Sequence, residues 1–309
     1  MTPMRLTIPQ KAYLAVAATS FIWGSTWVAS KLAVGSVPGL QISAIRQLLA
    51  GSLFILYFKL KGHPWPNFKQ LRFLFTVTFF LLIIGNGFAT WGIKFIPSGL
   101  AALIGALYPM CVVMIEKIFF KTRTTLFTLA GLVLGFAGIG IVFYNNRSFG
   151  EHGSHFTMGV AMALLATLGW SIGTIFIARK KFELNTYYSM GWQMLLAAPC
   201  IYSMALLTGN HIPIGDMPAI SWALLCYLVL AGSCIAFICF IYSMKHLPVA
   251  IASLYAYINP FVAMLIGSAL LNERLTLLIL TGTVITLAGV YLVNKSLKGH
   301  SDLPAENEI

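Results

Sequence analysis

Acidic side chains are nearly missing from this chain: eight Asp and Glu stand against 20 Lys and Arg in 309 residues. Only 9% of the residues are charged, whereas a soluble domain carries about 25%. That is too little charge to cover a water-soluble fold of this length. Cysteine is scarce too. Cys111, Cys200, Cys226, Cys234 and Cys239 all lie in apolar stretches and none forms a C-x-x-C pair. They read as small buried residues and exclude a dithiol redox site. Every histidine falls in a connector or a tail, and no nucleophile stands beside a base. Glu151-His152-Gly-Ser-His155 gathers two imidazoles and an acid, but further ligands are absent nearby and the glycine breaks helical spacing. No metal and no cofactor are expected there. Gly138-x-Gly140 sits inside an apolar run rather than after a strand, so it is no dinucleotide loop. These absences argue against an enzyme.

What is present is hydrocarbon. The chain is 59% hydrophobic, with a mean hydropathy of +0.85. Crossing the hydrocarbon core takes about 20 apolar residues. Ten segments qualify, roughly 12–33, 40–59, 70–92, 97–119, 126–144, 157–178, 186–207, 219–242, 248–271 and 277–295. The first run is too long for a signal-peptide core and reads as a retained spanning helix. Pro38, Pro97, Pro218 and Pro248 sit at or just before helix starts, where a missing N–H costs nothing. The net charge of +12 lies in the short connectors between runs, so it signals topology and not nucleic acid.

The chain also repeats itself. Residues 94–143 overlay 245–294 without a gap: Lys94 on Lys245, Pro97 on Pro248, Pro109 on Pro260, Gly131 on Gly282, Gly138 on Gly289. Ser43 to Gln47 parallels Ser189 to Gln193 more weakly, as Trp23 to Lys31 parallels Trp170 to Arg179. The expected fold is an all-α integral membrane protein of ten transmembrane helices in two five-helix repeats, 12–146 and 156–297. A cytoplasmic N-terminus, 1–11, and a polar cytoplasmic tail, 298–309, flank them. Five is odd, so the second copy enters the membrane from the opposite side and the repeats are inverted. With a cytoplasmic N-terminus, fifteen Lys and Arg fall on inner connectors, including Arg123, Lys180 and Lys181. Only Lys31, Lys94, Arg147 and Arg274 fall outside. Both termini should therefore face the cytoplasm.

Ionisable groups at membrane depth are candidates for function. Arg46, beside Gln47 and well inside the second run, offers a planar fork for a carboxylate or phosphate; snorkelling to the surface is the competing reading. Its repeat partner is Trp192, so any such role is asymmetric. Glu116 and Lys117 read as an interfacial pair, and Lys31, Lys94 and Lys245 as snorkelling helix ends. Beyond Glu116 no carboxylate occupies a predicted membrane core, which weakens the case for proton coupling. Trp23, Asn86, Tyr108, Trp170, Tyr255, Tyr257 and Asn259 complete the candidate substrate-binding set, with Trp27 and Trp91 weaker. Such rings and amides hold an amphipathic solute, though the same residues also anchor interfaces and tie helices. Pro109 and Pro260 should kink helices 4 and 9 and could act as gates. The glycines of helices 5 and 10 favour close packing within the fold over a dimer face, leaving a homodimer open.

Several phrases resemble the drug/metabolite transporter superfamily, EamA type. They are Trp23-Gly-Ser-Thr-Trp-Val-Ala-Ser-Lys31, the Pro-x-x-x-Ala starts at Pro97 and Pro248, and Asn272-Glu273-Arg274-Leu275-Thr276. The resemblance covers roughly 12–296. It implies a ten-helix basket around a central cavity, with helices 5 and 10 peripheral, in a bacterial inner or plasma membrane. It also implies a secondary transporter of an amino acid or similar small metabolite, more often exported than imported, working by alternating access. A nucleotide-sugar or phosphorylated-metabolite exchanger is the sibling reading, favoured if Arg46 and a lysine converge. A membrane enzyme or scaffold is the different-class one. One departure stands out: Glu273 has Thr122 as its partner in the first copy.

Overall fold

The computed structural model describes residues 7–122, 124–148, 155–180 and 184–301. Arg5, Arg123 and Lys181 of the charge asymmetry, Glu151–Ser154 of the histidine loop and the tail beyond 301 lie outside them. The described residues form helices: α1 (Ile8–Ala33), α2 (Gly39–Leu60), α3 (Phe68–Gly92), α4 (Ser98–Phe120), α5 (Leu126–Ser148), α6 (His155–Arg179), α7 (Thr186–Leu207), α8 (Ala219–His246), α9 (Tyr255–Leu271, preceded by the turn Val249–Ala252) and α10 (Leu277–Ser301). Nine of these described helices are long and apolar enough to cross a membrane, and α9 is a shorter apolar tenth. Large apolar side chains such as Leu53, Leu56, Phe127, Val133, Leu265 and Val284 point outward. Such a surface is stable against lipid tails and not against water.

The helix ends follow local chemistry. Thr7 with Gln10, and Asn67 with Gln70, form reciprocal capping boxes that start α1 and α3. Asn185 Oδ1 accepts from the Tyr187 and Tyr188 amides to start α7. Pro38, Pro97 and Pro218 occupy the N-cap positions of α2, α4 and α8. Lys121 and Asn272 end α4 and α9 in the left-handed region, at φ 53° and 54°, and are repeat partners. Their amides bond Glu116 O and Gly267 O, themselves repeat partners. The duplication therefore reaches into backbone conformation.

One feature of the helices carries no clear mark in the sequence. Phe79–Gly87 in α3 and Leu228–Ile235 in α8 are wound as π-helix, at corresponding places in the two halves. α4 also breaks at Ala106–Leu107, immediately before Tyr108-Pro109. Proline there removes an N–H and crowds the carbonyl four residues back. The second copy behaves differently: its break falls at Ser253–Leu254, and Pro260 stays inside α9.

Packing pairs each helix with an element of the other half. A Cβ placed on Gly131 would lie 2.8 Å from Gly289 O, and one on Gly138 would lie 2.5 Å from Gly282 O. The pairing is crossed, since Gly131 corresponds to Gly282 and Gly138 to Gly289. Only glycine permits backbones this close. Along α2 and α7, Gly51 meets Leu195, Phe54 meets Gly191, and the rings of Phe58 and Tyr188 stand 5.5 Å apart. Numbers rise in one helix as they fall in the other, so α2 and α7 run antiparallel, as do α5 and α10.

Candidate functional site

One end of the bundle is tied by charged and amide side chains that address main-chain atoms. Lys31 Nζ donates to Ile93 O, Lys94 O and Ile96 O, each at 2.9 Å. It thereby satisfies carbonyls left over where α3 ends, a favourable place for a cation. Lys31 thus has a fixed task where sequence favoured a snorkelling end. Glu273 grips the next helix. Its carboxylate accepts from Ser98 N at 2.6 Å, Ser98 Oγ at 2.9 Å and Gly99 N at 3.3 Å, capping α4 from the α9–α10 turn. Gln41 binds Ile212 through both its Nε2 (2.8 Å) and its Oε1 (2.9 Å). At the opposite end the hydroxyls of Thr125, Thr128 and Ser296 join the start of α5 to α10. Glu116 pairs there with Arg179 at 3.7 Å and not with Lys117.

Between these ends lies a cavity of about 210 Å³ lined from α1, α2, α3, α4, α6, α7, α8 and α9. At about 30 Å³ per water, that holds about seven waters or one small solute. Of the candidate residues, Trp23, Arg46, Asn86, Tyr108, Trp170, Tyr255 and Asn259 line it, as do Trp27 and Pro109. Tyr257 does not. Two residues along a helix is more than half a turn, so it faces away from Tyr255's side, and its hydroxyl accepts from Asn294 Nδ2 in α10. Pro260 and Trp91 also lie off the lining.

Both π-wound segments face this cavity, a placement such segments often share with functional sites. The α3 segment contributes Leu82, Gly85 and Asn86; the α8 segment contributes Ser233. Asn86 Oδ1 accepts from Ser43 Oγ (2.9 Å) and Gln47 Nε2 (3.0 Å), which ties α3 to α2. Arg46 is 8% exposed, and its Nε donates to Ser233 Oγ at 2.8 Å. Trp23 Nε1 donates to Gly232 O at 3.1 Å in the same segment. The other copy repeats the motif: the ring of Trp170 lies against Gly85, whose added Cβ would be 3.4 Å from Cε3. Trp23 and Trp170, like Gly85 and Gly232, are 147 residues apart. Sequence reasoning missed Ser233 and Gly232. The signal lay in their register with Asn86 and Gly85.

The aromatic side of the cavity is a packed cluster. Trp23 meets Tyr255, Phe237 and Phe240 at ring-centroid distances of 5.0, 5.1 and 5.3 Å. Asn259 Nδ2, with the amide turned to satisfy both carbonyls, donates to Ser20 O (2.8 Å) and Tyr255 O (3.1 Å), joining α9 to α1. Ala101, Ala102, Ala163, Ala166 and Met194 form the apolar wall. Arg46 is the one charged side chain among the described residues that line the cavity.

Known proteins of this kind are membrane transporters. The EamA-like transporter family matches the chain twice, over residues 10–144 and 157–295. The uncharacterized inner membrane transporter YedA of Escherichia coli (strain K12) is 30% identical over 265 residues, covering 85% of this chain and 83% of YedA. The uncharacterized transporter YvbV of Bacillus subtilis (strain 168) is 25% identical, with 90% and 89% covered. The WAT1-related chloroplastic protein At3g02690 of Arabidopsis thaliana is also 25% identical, over 89% of this chain and 67% of its own length. A solved crystal structure superimposes on 94% of this chain and 99% of its own at a TM-score of 0.62 and 18% identity, a likeness of fold alone. With both halves matched and a 30% relative spanning most of its length, the chain belongs to the EamA-like transporter family and is a multi-pass protein of the cell membrane.

Proposed function

We propose that the protein is a secondary transporter that moves a small organic solute, an amino acid or a similar amphipathic metabolite, through this cavity by alternating access, in the outward direction. One observation carries the reading. Seven helices bring rings, amides and a lone guanidinium together at mid-length of apolar spans, where a purely structural core would be alkyl. The crossed glycine pairing and the antiparallel α2–α7 and α5–α10 packing support inverted repeats, whose halves can exchange roles across the membrane. The fifteen-to-four distribution of Lys and Arg supports cytoplasmic termini. With that orientation the Lys31–Glu273 end would face outside, and its ties would form the outer gate. Pro109, beside the break in α4, is the better placed of the two proline hinges. A phosphorylated-metabolite exchanger is less supported, because no lysine joins Arg46 on the lining.

Uptake into proteoliposomes against a panel of amino acids and related metabolites, with and without a pH step, tests the reading. The expected outcome is saturable accumulation of at least one solute, lost in Arg46→Ala at unchanged expression. Flux equal to that of empty liposomes across the whole panel would overturn it.

A further inference from the structure

We infer that the solute enters this cavity as a net anion, its acidic group on the Nη edge of Arg46 and its apolar body among the indole rings. The inference rests on the transport reading and narrows it to a charge class, setting zwitterionic amino acids aside in favour of organic acids among the solutes that reading allows. Charge arithmetic comes first. Arg46 brings one positive charge to the lining, and no carboxylate lines the cavity among the described residues. A buried cation without a counter-charge is costly, and more so at membrane depth. A solute with one negative charge supplies what is missing. A zwitterion would cancel that gain by leaving its ammonium with aromatic faces and no carboxylate, and an amine would be repelled.

Hydrogen-bond bookkeeping agrees with the charge. Arg46 uses Nε on Ser233 Oγ, which fixes the plane of the guanidinium and leaves the two Nη groups for the cavity. Two parallel N–H groups from one planar fork match the two oxygens of a carboxylate or phosphate. The backbone makes room for that pose: a Cβ on Gly232 would stand 2.8 Å from Thr26 Cγ2 and 3.1 Å from Arg46 Nη2. Trp23 Nε1, bonded to Gly232 O, holds the same turn from the other side. Asn86 is oriented likewise. Its Oδ1 is occupied by Ser43 and Gln47, which turns Nδ2 outward as a further donor. The Nη groups of Arg46 and Nδ2 of Asn86 thus stand on the lining as donors, the groups that the oxygens of an anion require. Ser233, Ser43 and Gln47 are positioning residues in this scheme; Arg46 and Asn86 touch the solute.

The test keeps the skeleton and changes the charge. Full-length protein in proteoliposomes is given 3-phenylpropionate, L-phenylalanine and 2-phenylethylamine, then hexanoate, norleucine and pentylamine, and counterflow is measured for each. The expected result is flux of the acids, at least about tenfold above their zwitterionic and cationic analogues. Arg46→Gln should lower acid flux about a hundredfold, the scale for removing one partner of a buried charge pair. Arg46→Lys keeps the charge, loses the fork and should fall between. Ser233→Ala should raise KM about fivefold with little change in kcat, and Ser233→Thr should restore it. Norleucine or phenylalanine moving as fast as the acids, or acid flux untouched by Arg46→Gln, overturns the charge assignment and leaves the transport reading standing. Absence of flux for all six overturns both.

Discussion

The second helix of each repeat carries the same three polar positions, and the two sets have different fates. On α2, Ser43 and Gln47 bind Asn86, and Arg46 binds Ser233. On α7 the partners are Ser189, Trp192 and Gln193, and Ser189 Oγ, Trp192 Nε1 and Gln193 Oε1 are buried with no hydrogen-bond partner among the described residues. Duplication has kept the scaffold in both copies: the glycine seam, the π-wound turns, the left-handed caps. The one charged side chain on the cavity lining, Arg46, comes from the first copy. A symmetric frame thus holds an asymmetric site, and the polar residues of α7 lack the network that their counterparts share.

That contrast can be broken in graded steps. The largest effect should come from the shared frame. Gly138→Leu drives a side chain into Gly282 O and the Thr286 backbone, 2.5 Å from an added Cβ. It should cost about 3 kcal/mol, at the upper end for overpacking, and appear as lost monodisperse protein in detergent. Glu273 exists in the second copy alone. Glu273→Ala strips the α4 cap and leaves the buried Ser98 amide unmet, for about 2 kcal/mol in a thermal melt. A wild-type melting temperature would show that water replaces the carboxylate there. Ser43→Ala removes one bond to Asn86 and should cost about 1 kcal/mol. Its counterpart Ser189→Ala removes a hydroxyl that bonds nothing, so the melt should stay within about 0.5 kcal/mol of wild type or rise. Equal losses from the two serines would refute the asymmetry.

Much of this was legible in the residues. Run length and proline placement anticipated most helices to within a few residues, because a spanning segment must be long, apolar and internally bonded; α9 starts later than expected, at Tyr255, and α10 runs on to Ser301. The constant offset also relates the left-handed caps at Lys121 and Asn272, although neither residue type announced that conformation. Facing was harder to read. A spanning helix is apolar towards lipid and towards its neighbours alike, so periodicity says little about which side looks inward. Tyr257 shows the price of ignoring even simple geometry: Tyr255 and Asn259 share a face four residues apart, and Tyr257 cannot join it. The π-wound turns were invisible for a different reason. No residue type in Phe79–Gly87 or Leu228–Ile235 demands that winding. Ser233, which accepts from Arg46, lies within the second of these turns.

The seam between α5 and α10 has a consequence for the company this chain can keep. Small-residue stripes are a common means by which separate chains clasp one another inside a bilayer. Here Gly131, Gly135, Gly138, Gly282 and Gly289 already touch each other or the core, so that clasp is occupied from within. Outward from it stand Val133, Leu134, Val284 and Tyr291, which acyl chains solvate about as well as a sister molecule would. A second copy cannot use the seam's own glycines for such a clasp.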